Sequence, residues 1–185
     1  MNTGQAINFA LKAVGIAGLA GVVIVAPNAA QALELILRKS PAKTSRADKI
    51  LAELRRQKLI VLVRGNSGFD FTLTPAGAHR LQRALIEELA IATPRKWDKK
   101  WRLVAFDVPV KFSKQRQYFT AHLRKLGLHM LQRSLWVHPF PCFDEVETLA
   151  GHYNLLRYCA LSEVSKSDNL TARRLTRHFA DQLKI

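Results

Sequence analysis

Hydrophobic and polar positions divide the chain into stretches with different periods. The first is an uncharged run from Ala13 to Leu33. Its strongly apolar part, Ala13 to Ala26, is 14 residues long, short of the roughly 20 that a bilayer span needs. Much of it is Gly and Ala, and Pro27 and Asn28 close it. Only Lys12 supplies positive charge ahead of it, a weak version of a signal-peptide start. The pattern predicts a buried helix over Ile7–Val25, with Gly15, Gly18 and Gly21 permitting close packing or a partner helix. Residues 1–27 are therefore read as an apolar N-terminal helix.

From residue 28 the period changes. Residues 28–39 read as an amphipathic helix with Asn28 as N-cap. "SPAKTS" is a turn, and Thr44 or Ser45 can cap a helix from about Arg46 to Lys58. Ala47, Ile50, Leu51 and Leu54 form its apolar face. Its other face carries Arg46, Lys49, Arg55, Arg56 and Lys58. "LIVLV" reads as a strand, "RGNSG" as a turn and "FDFTLT" as a half-buried strand by alternation. Pro75 opens a helix with Leu81, Leu85 and Leu89 at a four-residue repeat. This order, with the "LTPxG" step after the second strand, resembles winged helix-turn-helix regulators, over residues 28–93.

"ATPRKWDKKW" marks a boundary, and residues 94–185 form the second expected domain. "WRLVAFDV" reads as a strand. Ser113 caps a helix to Leu126, with Phe119 and Leu123 on its apolar face and Gly127 as its stop. "LHMLQ" and "SLWVHP" are strands, "CFDEVETLAGHY" a helix and "LLRYCAL" the last strand. The resulting β-α-β-β-α-β order is ferredoxin-like. A final helix covers residues 168–184, with Asp168 as a cap. The fold class expected is α+β: a winged helix-turn-helix followed by a ferredoxin-like βαββαβ domain.

Charge changes the picture from fold to function. Lys and Arg number 29 against 14 acidic residues, a net charge of +15 with 48% hydrophobic residues. Such a surplus repels itself unless a polyanion relieves it, and nucleic acid is the usual one. An acidic protein or an anionic lipid is the alternative. Residues 1–94 hold 12 basic and 6 acidic side chains, and residues 95–185 hold 17 and 8, so both halves could face one ligand. Cys142 and Cys159 are too few for a disulfide framework and read as partly buried apolar residues in a reducing cytoplasm. No His or Cys cluster has zinc-ligand spacing.

The motifs "WDKKWRLVAFDVP" and "RQYFTAHLRKLGLHMLQRSLWVHPFPC" resemble the PaaX family, transcriptional repressors named for phenylacetic-acid degradation. Trp97, Asp98, Trp101, Arg102, Asp107, Pro109, Arg124, Leu126, Gly127, Gln132, Ser134, Trp136 and Val137 match the family pattern. The same domain resembles the small CRISPR adaptation nuclease, the second of the two universal Cas proteins. There a strand-end Asp from each of two subunits is proposed to hold one metal, and Asp107 occupies that place.

Two function classes follow. The first is a DNA-binding repressor acting on duplex DNA as a homodimer, with no cofactor. Lys43, Ser45, Arg46 and Lys49 are then the candidates for base reading, and Arg55, Arg56 and Arg64 for phosphate contacts. The second is an Mg- or Mn-dependent endonuclease or integration subunit acting through paired Asp107 residues. A subunit of a larger protein complex, with neither activity, is a third. For Asp107 the plain alternative is a turn residue before Pro109 whose carboxylate takes backbone N–H groups. Ser134 with His129 or His138 lacks anything that would orient a nucleophile. Of Trp97, Trp101, Phe106 and Trp136, at least two are expected in the core, and Trp97 is placed to pack the linker on the domain.

Overall fold

The computed structural model describes residues 3–19, 44–65 and 68–183. The chain is of the α+β class, helices combined with antiparallel sheet, and divides into two compact units, Met1–Glu87 and Glu88–Ile185. The helix expected over residues 28–39 and Gly21 lie outside the described residues.

In the first unit, α1 (Thr3–Leu19) precedes α2 (Thr44–Arg56), the hairpin β1 (Ile60–Gly65) and β2 (Gly68–Leu73), and α3 (Pro75–Glu87). The described part of the N-terminal segment, α1, is thus a core helix. Ala6, Ile7, Ala10, Leu11 and Val14 are buried at helical spacing against Ile50, Leu51, Leu54, Leu59, Ile60 and Phe71. A Cβ on Gly15 would stand 2.8 Å from Leu81 Cδ2, so glycine there permits the close approach of α1 and α3. Thr44 and Ser45 are themselves helical, so neither is the cap expected of them. The helix also ends sooner than expected. Lys58 lies outside it with φ 53°, and the Leu59 N–H returns to the Leu54 carbonyl at 2.9 Å. Such a left-handed residue satisfies terminal carbonyls and stops a helix. The hairpin runs from Ile60↔Leu73 to Gly65↔Gly68, so Arg64, Gly65 and Gly68 belong to its strands rather than to the turn.

The "LTPxG" step acquires a physical reason. The Thr74 hydroxyl donates to the Lys58 carbonyl at 2.7 Å and accepts from the Gly77 N–H at 3.0 Å. It caps α3 and pins the start of that helix to the end of α2. Pro75 follows where no N–H is needed. Gly77 abuts the Leu59 carbonyl oxygen, which a Cβ would overlap. The Leu81, Leu85 and Leu89 repeat is corrected: Leu85 is exposed, and Gly77, partly buried Leu81 and Ala84 make the inner face.

In the second unit the elements are β3 (Trp101–Phe106), α4 (Ser113–Lys125), β4 (His129–Gln132), β5 (Leu135–His138), α5 (Phe143–His152), β6 (Cys159–Val164), α6 (Asn169–His178) and α7 (Ala180–Leu183). The sheet order is β4-β5-β3-β6, and every pairing is antiparallel. Side chains alternate across β3. Trp101 packs with Val137, Phe140, Leu175, Phe179 and Leu183, so α6 and α7 cover one face. Phe106 meets Phe119 of α4 edge-on at 5.5 Å on the other. Gly127 takes φ 88° and stops α4, as its position implies. Asp168 caps α6 by accepting from the Thr171 N–H at 2.9 Å.

Two boundaries differ from expectation. Ser113 is the first residue of α4, and Phe112 precedes it with no side-chain cap. The last strand begins at Cys159, because Leu156–Tyr158 form a 3₁₀ turn. Apolar content placed that strand, yet it is an edge strand with Ala160, Ser162 and Glu163 exposed.

Candidate nucleic-acid interface

Helix α2 carries most of the DNA-contact candidates. Its buried stripe of Ile50, Leu51 and Leu54 fixes the opposite face, where Lys49, Ala52 and Arg56 follow at i, i+3 and i+7. Arg55 falls beside that line, on the side of Asp48. Lys49 and Arg55 are exposed, and among the described residues neither forms an ion pair.

Arg56 is committed locally. Its guanidinium donates to both Glu53 oxygens, at 2.8 and 2.5 Å. The hydrogen bonds from Arg56 and Gln57 hold the Glu53 carboxyl down at about 2. Gln57 also accepts from Arg80 of α3, and Arg80 donates to Asn8 of α1 at 3.3 Å. This Asn8–Arg80–Gln57–Glu53–Arg56 chain ties three helices together. Arg80 carried no signal in the sequence, because its partners lie 72 and 23 residues away. Ser45 and Arg46 lie in the first turn of α2, and Arg64 pairs with Phe69 in the hairpin, by backbone alone. Lys43 lies outside the described residues.

Asp107 stands at the end of β3, where its N–H donates to the Tyr158 carbonyl at 3.0 Å. Its carboxylate is exposed in an open groove of about 610 Å³ that also contains Gln132, Ser134, Arg157 and Tyr158. Among the described residues nothing hydrogen-bonds to that carboxylate, so the backbone-capping alternative is corrected. The groove offers one carboxylate and a cation, Arg157, and the described residues include no cluster of three or more His, Cys, Asp or Glu able to hold a metal ion. This donor set does not fit a divalent metal within one chain. His138 is buried with Nδ1 against the Phe140 backbone, so it does not serve Ser134.

The Trp-Asp…Trp-Arg opening is a structural lock. Arg102 is only 4% exposed, and both terminal nitrogens of its guanidinium are partnered. It donates to both Asp98 oxygens at 2.8 and 2.5 Å, to Pro139 O at 3.2 Å and to Lys100 O at 3.1 Å, and it pairs with Glu163 at 2.7 Å. Arg102 in turn holds the Asp98 carboxyl below the usual range. Trp97 packs on Trp101 at 4.8 Å, and its indole N–H donates to Lys100 O. The segment before β3 is thus fastened to the sheet. Trp101, Phe106 and Trp136 are buried, as expected. Cys142 is buried and Cys159 partly so, and desolvation pushes their thiols up to about 12 and about 11.

A four-stranded antiparallel sheet between two helical layers, entered through a Trp-Asp…Trp-Arg lock, defines the class of the second unit. Residues 94–176 match the family model for the PaaX protein central Cas2-like domain. No curated protein matches the chain. No helix among the described residues is long and apolar enough to cross a membrane.

Proposed function

We propose that the chain is a transcriptional regulator of the repressor type that binds duplex DNA as a homodimer. The observation that carries this reading is the match of residues 94–176 to the central domain of PaaX proteins. Helix α2 and the β1–β2 hairpin, followed by α3, support a winged helix-turn-helix in the first unit. There Lys49 and Arg55 are uncommitted cations on an exposed face. Base reading falls to the start of α2, with Lys43, Ser45, Arg46 and Lys49, and backbone contact to Arg55 and Arg64. Arg56 contributes less than its charge suggests, because Glu53 already neutralises it.

The order of elements and the β4-β5-β3-β6 sheet support a ferredoxin-like second unit. Its β6 edge, with Ala160, Ser162 and Glu163 exposed, supports two-fold pairing of copies. A dimer would present two reading helices to the half-sites of a palindrome.

Selection of binding sites from a random duplex pool tests this, with sedimentation of the free protein. The expected result is a palindromic consensus bound by a dimer. Lys49→Gln with Arg55→Gln should weaken binding at least about 5-fold, from the loss of about 1–3 kcal/mol at a reading contact. Binding without any sequence selection would overturn the regulator reading.

A further inference from the structure

A second cationic site lies in the second unit, apart from every residue used above for DNA reading. Arg116, Arg124 and Arg133 line one pocket of about 270 Å³, together with Gln117, Thr120 and Trp136. No acidic side chain contributes to it. Among the described residues, none of the three arginines forms an ion pair. Arg102, by contrast, is neutralised by Asp98 and Glu163. Three unpaired guanidiniums around one cavity repel one another until an anion enters.

The site is built rather than incidental. Arg116, Thr120 and Arg124 succeed one another at i, i+4 and i+8 on α4, one stripe of the helix. Arg133 reaches the pocket from the turn between β4 and β5. Arg116 lies over the Phe106 ring at 5.9 Å and Arg124 over Trp136 at 5.2 Å. Both rings are buried, so the guanidiniums rest on fixed platforms. Such contacts lower the ordering cost of binding, because the side chains are already placed. The Trp136 indole N–H is buried without a hydrogen-bond partner, a second donor left unmatched beside the pocket. The Gln117 amide also has no partner among the described residues.

We propose that Arg116, Arg124 and Arg133 form a phosphate-binding site. Guanidinium forks match phosphate oxygens two at a time, and three of them suit a phosphate ester better than a carboxylate. The phosphate belongs either to a nucleic-acid backbone or to a free phosphorylated small molecule.

The test titrates the full chain with inorganic phosphate and pyrophosphate at constant ionic strength, following the Trp136 indole N–H resonance. Wild type should show a saturable shift. Arg116→Gln with Arg133→Gln should weaken it at least 10-fold, while Arg124 stays on its ring and thermal unfolding checks the fold. Arg124→Lys, which keeps the charge but loses the planar fork, should weaken it less than the double variant. No saturable shift in wild type, or an equal one in the double variant, overturns the proposal. The source is decided by the slope of log affinity for duplex DNA against log salt. A slope about 2 smaller in the double variant assigns the site to backbone phosphates, at about 0.9 per contact. An unchanged slope with phosphate binding lost assigns it to a small phosphorylated ligand. Neither phosphate titration requires the regulator reading, so the two can fail separately.

Discussion

At the scale of single residues, one position in each unit bears on how that unit holds together. Gly77 is in a helix, where alanine would ordinarily gain about 1 kcal/mol. Its Cβ would overlap the Leu59 carbonyl, which is backbone and already accepts from the Thr74 N–H at 3.1 Å. Overpacking of this kind costs about 1–3 kcal/mol. Gly77→Ala is therefore expected to destabilise the first unit despite its propensity, read as a lower urea midpoint. A neutral result would mean that α3 can lift off Leu59. Arg102 presents the opposite case, a buried charge whose partners are carboxylates near the surface. Arg102→Met should cost the second unit about 1–3 kcal/mol, since hydrogen bonds to charged groups are lost while Asp98 and Glu163 can hydrate. The pH dependence gives a check. Asp98 is held below its ordinary 3.8, so its stabilisation is present above about pH 4 and fades as the pH falls through the folded value. Asp98→Asn should remove that acid limb. Both residues stood in recognisable motifs. Their roles as a lock were not legible, because Glu163 lies 61 positions further along the chain from Arg102 and only the β3–β6 register brings it close.

At the scale of elements, α6 docks on the sheet through an unusual contact. The His178 ring lies 3.8 Å from His129 of β4, and Phe179 packs beside both. Burial first, then the His178 and Arg174 charges, lowers the His129 pKa, and its Nε2 is buried without a partner. Burial also lowers His138. The unfolded chain then binds more protons near neutrality than the folded one. Stability of the second unit is complete above about pH 6.5 and is lost as the pH falls below it towards the folded values. His129→Leu should make the fall of melting temperature below pH 6.5 shallower, with His138 retaining the rest. An unchanged slope would exclude His129 as a sensor. Helices with one clear apolar stripe, such as α2 and α4, were legible as elements from spacing alone. The last strand was displaced because "LLRYC" is as apolar as the strand itself, and the 3₁₀ turn follows from contacts rather than composition. For the candidate interface, the chain pattern placed a helix where α2 lies, though that helix ends at Arg56 rather than Lys58. It could not show that Glu53 occupies Arg56 while Lys49 and Arg55 remain uncommitted, since all are charged residues on one helix.

At the scale of the whole molecule, charge sets the sign of the salt response. The ion pairs of the described residues work in one direction. Arg56–Glu53 and Lys100–Glu163 are solvent-screened surface pairs that contribute little, and salt weakens them further. The net charge of +15 works in the other. It repels itself over distances that salt shortens, from about 30 Å of screening length at 0.01 M to about 8 Å at 0.15 M. Arg116, Arg124 and Arg133 gather part of this surplus in one pocket, and Lys49 and Arg55 hold more of it on α2. Repulsion among many unpaired cations outweighs two weak surface pairs. The melting temperature of the free protein is therefore expected to rise between 0.01 and 0.15 M sodium chloride. Sodium phosphate at equal ionic strength should raise it further, since a bound anion stabilises by mass action where screening alone does not. A fall with chloride would mean that local ion pairs dominate the field. A rise identical in the two salts would leave screening as the whole effect and remove the phosphate contribution. On the proposed regulator reading, duplex DNA should exceed both, because its binding also releases condensed counterions.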